Sequence, residues 1–500
     1  MNREAFIEIK LVEEAKKIAK KYQNYHNYLE LSYQRNKKRI QNADPKKIKV
    51  PEYWAKDKKF NPFYVIHHRR QIAKSLAKKL RSGEYRPNPP HIYQVPKADG
   101  GKRDVAVYQI PDSAVSNLLY NQLLEKNKHR FSSFSYAYRN DRNVHFAIQD
   151  IAIDLKYYPR TFISEFDFSD FFGSISHGYL FQQFDENGFF ITEDEKNLIK
   201  KFLEIKDTGV PQGTSISLFL ANLACWRLDK KLEQNGLKFA RYADDTFIWS
   251  NDYSKICRSF EIIDEFSKTA GVSINFKKSK GISLLSRKEL PSEFEKTKYF
   301  IEFLGYRISI GLVAIKDSAV RKIKKQISYL LYKNLIQPLK GLQLRAIVIP
   351  SNDFDPGLLT AIMEIRRYLY GNLTDDYLRG YLKGYHRRIN FKGIMSFYPL
   401  ISDEEQLKQL DGWLVSAIHR SLKLRANLLS RWNHNRYSQF PFNVERNELV
   451  SEFKKQRIYG KRLLEIPSFM RIYLAIKKGL ITGGIERVMN PNSDLYNYTS

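Results

Sequence analysis

Cysteine is nearly missing from this chain: Cys225 and Cys257 are the two in 500 residues. They form no metal-ligand spacing and no disulfide framework, so a cysteine-held metal site and a cystine-stapled domain are excluded. Long apolar runs are missing too, since none approaches the ~18 residues that a membrane span takes. The first residues, Met1-Asn2-Arg3-Glu4-Ala5-Phe6, are charged and lack the apolar centre of a signal peptide. The expectation is a soluble, cytoplasmic protein with no membrane partner. No internal repeat, low-complexity tract or clear flexible linker interrupts the chain. Acidic residues are in short supply, 54 Asp+Glu against 84 Lys+Arg, for a formal net charge of +30. A surface so basic attracts polyanions, and nucleic acid is the expected one.

What is present is apolar material for large cores, 43% of the residues, over a length that suggests about three domains at roughly 150 residues each. Residues 1–90 read as a basic helical region, with Phe6, Ile7, Ile9, Leu11 and Val12 opening an apolar face before Lys16, Lys17, Lys20 and Lys21. His91 to Pro96 and Arg103 to Tyr108 read as strands around the turn Lys97-Ala98-Asp99-Gly100-Gly101-Lys102, a basic hairpin. Helical patterns cover Ser113 to about Lys128, Asn143 to about Tyr157, Ser215 to about Glu233, and Ser254 to Ala270. Beyond about residue 315 the pattern is helical and basic, and the tail from Asn490 to Ser500 is polar and expected to be loose.

Two strands end in carboxylates. Thr161 to Asp167 is one, and Phe239 to Tyr242 with Thr246 to Trp249 flank Ala243-Asp244-Asp245 as a hairpin. An Asp-Asp pair alone is ordinary in turns that face water. Adjacent anions between apolar strands repel and lose solvation, and a hard divalent cation such as Mg²⁺ offsets that. Between the two strands lies Gly209-Val210-Pro211-Gln212-Gly213-Thr214-Ser215, whose glycines allow close backbone approach and whose Thr214 or Ser215 suits a helix cap.

Five segments occur in order: Phe166-Asp167-Phe168-Ser169-Asp170-Phe171-Phe172, Gly209 to Gly213, Tyr242-Ala243-Asp244-Asp245, Ile274-Asn275-Phe276-Lys277-Lys278-Ser279-Lys280, and Phe303-Leu304-Gly305-Tyr306. The series resembles the motifs of reverse transcriptases. Val95-Pro96-Lys97 with Gly101-Lys102-Arg103, and Phe134 to Arg139, resemble the fingers segments of the bacterial enzymes, so the match covers roughly residues 91–310. The resemblance implies an α+β right-hand polymerase with helical extensions. Its parts would be the helical region 1–90, fingers 91–160, palm 161–315, thumb-like helices 316–400 and a basic helical region 401–500. It implies that Asp167, Asp244 and Asp245, with the backbone of Phe168, hold two Mg²⁺ ions (Mn²⁺ as an alternative). Lys97, Arg103, Phe172, Gln212, Gly213 and Lys278 would bind the incoming dNTP. Phe172 would be a steric gate against ribose, with Phe171 pointing the other way, and Lys278 a proton donor to pyrophosphate, with Lys277 and Lys280 close by. Phe303, Leu304, Gly305 and Tyr306 would form the primer grip.

Two departures from the intron and retron pattern are Leu218 and Asp104, each where relatives often carry proline. No His- and Cys-rich nuclease segment follows, and roughly 190 residues extend past the primer-grip match. That layout resembles the defence-associated, antiphage reverse transcriptases of bacteria, several of which copy a dedicated noncoding RNA into DNA; a homo-oligomer is left open. The alternatives are a group II intron- or retron-type enzyme, an RNA-directed RNA polymerase, and a catalytically silent RNA-binding scaffold. In the extension, Tyr368, Tyr370, Tyr381, Tyr385, Trp432 and Tyr459 stand among basic residues, and most read as the core of an amphipathic domain. Tyr496 and Tyr498 in the tail are candidates for a priming hydroxyl.

Overall fold

The computed structural model describes residues 3–37, 43–96, 100–340, 355–431, 440–455, 457–458, 461–462 and 464–493. Apolar residues four apart carry the first long element. Helix Arg3–Lys37 buries Ile7, Leu11, Ala15 and Ala19 along one stripe. That stripe packs on helices Arg69–Arg81 and Ile110–Asn127. The basic hairpin follows the sequence reading: β1 (His91–Pro96) pairs antiparallel with β2 (Lys102–Val107). Helix Val144–Lys156 then leads to the central sheet.

In that sheet, β3 (Arg160–Phe166) lies at the centre. A two-residue strand β4 (Phe168–Ser169) follows it. The hairpin β5 (Lys238–Tyr242) and β6 (Asp245–Ser250) lies on one side. After helix Tyr253–Ala270 come β7 (Ser273–Ile274), which pairs with β4, and β8 (Ile282–Ser286) and β9 (Thr297–Lys298) on the other side of β3. The order is β5-β6-β3-β8-β9, antiparallel except for β8 with β9. A second sheet, β10 (Ile301–Phe303), β11 (Tyr306–Ser309) and β12 (Leu312–Ile315), precedes the helices Asp317–Leu331, Pro356–Tyr370, Glu404–Arg431 and Phe469–Gly483.

Strand side chains alternate between faces, and the central sheet uses both. Phe166 and Ile248 enter a core shared with Leu11, Leu76, Leu119 and Phe219. Ile163, Phe247 and Trp249 enter a second core that runs through Ile308, Ile327, Ile365, Leu414 and Ile472. Tyr370 and Tyr381 belong to that second core, as their helical pattern implies, while Tyr385 is exposed. Trp432 and Tyr459 lie outside the described residues. Among the described residues no helix is long and apolar enough to cross a membrane.

Three local readings change. The helix expected from Ser215 to about Glu233 is two, Ser215–Ala224 and Trp226–Gln234, joined at Cys225. The bend serves partners off the first axis: Trp226 Nε1 donates to the Arg130 carbonyl at 2.8 Å, and Asp229 meets Arg241. A short ribbon, Arg457–Ile458 with Lys461–Arg462, interrupts the expected helices of the C-terminal region. The tail is not loose where it begins: Asn490 is 3% exposed and its Nδ2 donates to the Lys392 carbonyl at 3.1 Å and Ser396 Oγ at 3.0 Å.

Candidate active site

Sheet register brings the aspartates together. Phe166 pairs with Thr246 in antiparallel strands, so Asp167, one residue on, and Asp245, one residue back, meet at the same sheet end. Tyr242 pairs with Asp245, leaving Ala243-Asp244 as the turn. Phe168 pairs with Ile274, which sets Asn275 opposite Asp167. The segment after β7 then wraps Asp167. Asn275 Nδ2 donates to Asp167 Oδ2 at 2.9 Å, the Asn275 N–H donates to the Asp167 carbonyl at 2.8 Å, and the Asp167 N–H donates to Ser279 Oγ at 3.1 Å. Lys278 Nζ lies 2.9 Å from Asp167 Oδ2. That contact selects Lys278 over Lys277 and Lys280 as the lysine at the carboxylates.

The carboxylates feel one another. Crowding by protein raises the pKa of Asp244; the charge of Asp167 raises it too, while a backbone N–H, Lys278 and Arg103 oppose. Asp245 is pushed up to about 7, by crowding first and then by the charges of Asp244 and Asp167. The Lys278 ammonium moves up, chiefly through its hydrogen bond to Asp167. Among the described residues no three carboxylate, imidazole or thiolate groups already stand in metal-ligand geometry.

The glycine-bearing loop docks the β1–β2 hairpin onto this sheet end. The Ala106 N–H of β2 donates to the Gln212 carbonyl at 2.7 Å. A Cβ on Gly213, at φ +116°, would lie 2.3 Å from the Ala106 carbonyl oxygen, so no larger residue allows that approach. Arg103, three residues before Ala106, is thereby near enough to act on Asp244. At the other end of the loop, the Val210 N–H donates to the Phe172 carbonyl at 2.6 Å. Phe171 and Phe172 are both buried and meet edge to face, ring centres 5.7 Å apart; Phe171 also packs on Phe168, and Phe172 on Tyr138 with ring centres 6.4 Å apart. Gln212 Oε1 is buried with no partner among the described residues. Helix Ser215–Ala224 is not capped by Thr214 or Ser215: Thr214 Oγ1 lies 2.6 Å from Ser116 Oγ, which accepts the Ile216 N–H at 3.0 Å.

Phe303-Leu304-Gly305-Tyr306 forms the β10–β11 turn, with positive φ at Leu304 and Gly305. Phe303 and Tyr306 point into the second core. Tyr306 Oη donates to the Phe397 carbonyl at 3.2 Å and lies 3.1 Å from His145 Nδ1. What this segment offers a nucleic acid is therefore the turn of Leu304 and Gly305, not the two rings. Lys97, Tyr496 and Tyr498 lie outside the described residues. Sequence reading missed Asn275 and Ser279, whose roles follow from β4–β7 pairing, and Arg241. For Arg241 a signal existed: a charged residue among the apolar residues of a buried strand.

A sheet end carrying three carboxylates, with a basic hairpin docked on one side and a helical region beyond a small sheet on the other, defines a right-hand polymerase fold. Residues 95–308 match the family described as reverse transcriptase (RNA-dependent DNA polymerase), and the chain carries a reverse transcriptase domain over those residues. Among curated proteins, Protein YkfC of Escherichia coli (strain K12) is 25% identical over 191 residues, 36% of this chain and 50% of that one. The Retron Ec73 reverse transcriptase of Escherichia coli is 30% identical over 218 residues, 39% of this chain and 64% of that one. The Retron Ec86 reverse transcriptase of Escherichia coli is 30% identical over 122 residues, 24% and 37% of the two chains. The matched part thus spans roughly a third to two thirds of those relatives. Among solved structures, apo telomerase from Candida Tropicalis aligns with a TM-score of 0.36 at 13% identity, over 84% of this chain and 68% of that one. Telomerase from Candida albicans with a fragment of telomeric RNA aligns at 0.35 and 13%, over 79% and 69%.

Proposed function

We propose that this protein is an RNA-directed DNA polymerase that copies an RNA, a dedicated noncoding RNA in our reading, into DNA in the cytoplasm as part of bacterial antiphage defence. The observation that carries the polymerase reading is the meeting of Asp167, Asp244 and Asp245 at one sheet end, with Lys278 and Arg103 as the cations beside them. The fit to divalent metal rests on the same group. Three hard oxygen donors, with the Asp245 carboxyl pushed up to about 7 by crowding and by the charges of Asp244 and Asp167, suit Mg²⁺. Asp167, Asp244 and Asp245 would hold it. When bound, a pair of such ions supplies activation of the primer 3′-hydroxyl and neutralisation of pyrophosphate.

The chain's own residues do the rest. Arg103 grips the triphosphate through its planar fork. Phe172, braced by Tyr138, excludes a ribose 2′-hydroxyl. Gln212 and Gly213 lie against the template–nucleotide pair, and Lys278 moves from Asp167 to donate a proton to pyrophosphate. Antiphage defence rests on the layout of the extension. A retron-type enzyme is the second reading, favoured by the names of two relatives.

The test is primer extension on RNA templates with labelled dNTPs or NTPs, for wild type and Asp244→Ala. Wild type is expected to incorporate dNTPs, and the variant to lose at least roughly a thousandfold, about 4 kcal/mol of barrier. Equal activity in both would remove the metal assignment, and a preference for NTPs would remove the gate. Sequencing the nucleic acid that co-purifies separates the two readings, and phage plating with wild type against Asp244→Ala tests defence.

A further inference from the structure

Arg241 heads the large side chains that are fully buried among the described residues, and it lies two residues before the turn that carries Asp244. Its fork meets Asp229 face to face: Nε donates to Oδ1 at 2.7 Å and Nη2 to Oδ2 at 2.6 Å, with both side chains at 0% exposure. Nη2 also donates to Ser135 Oγ at 2.7 Å, and Nη1 to Asn222 Oδ1 at 3.4 Å. The remaining donor leaves this group and reaches the Ala243 carbonyl at 2.9 Å. All five guanidinium N–H groups are thus engaged. The Arg241 main chain is held as well: its N–H donates to the Phe134 carbonyl, and its carbonyl accepts the Tyr136 N–H, each at 2.9 Å.

Ala243 has φ +59°. Hairpin turns normally place glycine at such a position, because a Cβ there is strained. Something must hold the peptide between Ala243 and Asp244 in place, since that peptide aims the Asp244 side chain. Stability alone does not account for the pair, because a buried ion pair exchanged for apolar residues of similar size often leaves a protein as stable or more so.

We infer that Arg241, fixed by Asp229, Ser135 and Asn222, is a positioning residue that orients the Ala243–Asp244 peptide and so the carboxylates of the proposed active site. This rests on the polymerase reading above. It makes residues from four separate segments, Ser135, Asn222, Asp229 and Arg241, one support for the turn.

The experiment uses the full chain and removes both charges together, Arg241→Met with Asp229→Leu, so that no orphaned ion is left buried. Thermal melting, Mn²⁺ binding followed by electron paramagnetic resonance, and kcat and KM for dNTP are measured against wild type. The expected result is a melting temperature close to wild type, Mn²⁺ binding weaker by about tenfold and kcat lower by roughly 30- to 100-fold, with KM for dNTP little changed. A folded double variant with wild-type kcat and Mn²⁺ affinity would overturn the inference. If the double variant does not fold, Arg241→Lys decides: it keeps the charge beside Asp229 but has no fork to reach Ala243 as well. It is expected to show the same loss in kcat and Mn²⁺ affinity, and wild-type values there would overturn the inference equally. If the wild type itself extends no primer, the polymerase reading fails, and the Mn²⁺ comparison still decides whether Arg241 shapes the carboxylate site.

Discussion

Two buried Arg–Asp pairs stand at opposite parts of this protein, built alike and placed differently. At the central sheet, Arg241 grips Asp229 and sends one N–H to the Ala243 carbonyl. Among the C-terminal helices, Arg425 grips Asp355, with Nη2 to Oδ1 at 2.9 Å and Nε on Oδ2, and sends Nη1 to the Leu335 carbonyl at 2.7 Å. Asp355 also accepts the Gly357 N–H at 2.8 Å as the cap of helix Pro356–Tyr370. Each arginine thus joins one carboxylate to one main-chain carbonyl. What differs is where the carbonyl lies: beside Asp244 in one case, at the irregular end of a helix in the other. The same chemistry serves the turn that carries Asp244 and a junction of helix ends among the C-terminal helices.

Breaking each pair from one side should have the largest effect, and it separates the two. Arg425→Met leaves the Asp355 charge buried and alone, which is expected to remove about 3–5 kcal/mol of stability. The kcat of the molecules that remain folded should stay at the wild-type value. Arg241→Met should remove a similar amount and lower kcat as well. Denaturant midpoints, with kcat corrected for the folded fraction, read both. If Arg425→Met lowered kcat as far as Arg241→Met does, the contrast between the pairs would collapse.

A buried histidine beside the second core has its own titration. His145, on helix Val144–Lys156, lies 3.1 Å from Tyr306 Oη and 3.1 Å from Ser493 Oγ, and so joins that helix to the β10–β12 sheet and the tethered tail. Burial pushes its pKa down to about 4 from its ordinary 6.5. Between those values the unfolded chain takes up a proton that the folded chain refuses. This contribution is complete above pH 6.5 and is lost as pH falls toward 4, by about 3 kcal/mol in all. Unfolding measured from pH 7.5 to 4.5 should show that slope, and His145→Gln should flatten it. An unchanged slope in the variant would mean that other groups set the acid limit.

The strands and the carboxylates were legible in the sequence because their signals are local. Alternating apolar residues mark β3, β5 and β6, and an aspartate ends or interrupts each. The support beneath them was not legible, because it depends on pairings between distant segments. Asn275 became a partner of Asp167 only through the β4–β7 register, and Asp229 a partner of Arg241 only through the bend at Cys225. Sequence resemblance favoured Lys278 with Lys277 and Lys280 close by, and the 2.9 Å contact to Asp167 is what separates them. Asn490 looked like loose tail because its acceptors, the Lys392 carbonyl and Ser396, are nearly a hundred residues earlier.

The smallest expected effect concerns how each region caps its helices. Asp355 caps its helix two residues ahead, in the usual way, at Gly357. Beside the central sheet, helix Ser215–Ala224 borrows its cap from Ser116, whose Oγ accepts the Ile216 N–H from about a hundred residues away. Ser116 is fully buried, so removal of its hydroxyl strands that N–H, and Thr214 loses its 2.6 Å partner. Ser116→Ala should therefore cost about 1–2 kcal/mol, in the range for a lost cap. The helix also carries Asn222, whose Nδ2 holds the Ala137 carbonyl at 2.8 Å beside the Arg241 support. A weakened start of this helix should consequently be felt at the turn, as a fall in kcat of a few-fold that Ser116→Thr, which retains a hydroxyl, restores. Loss of stability with kcat untouched in Ser116→Ala would confine the support of the turn to Arg241 and the groups that touch it directly.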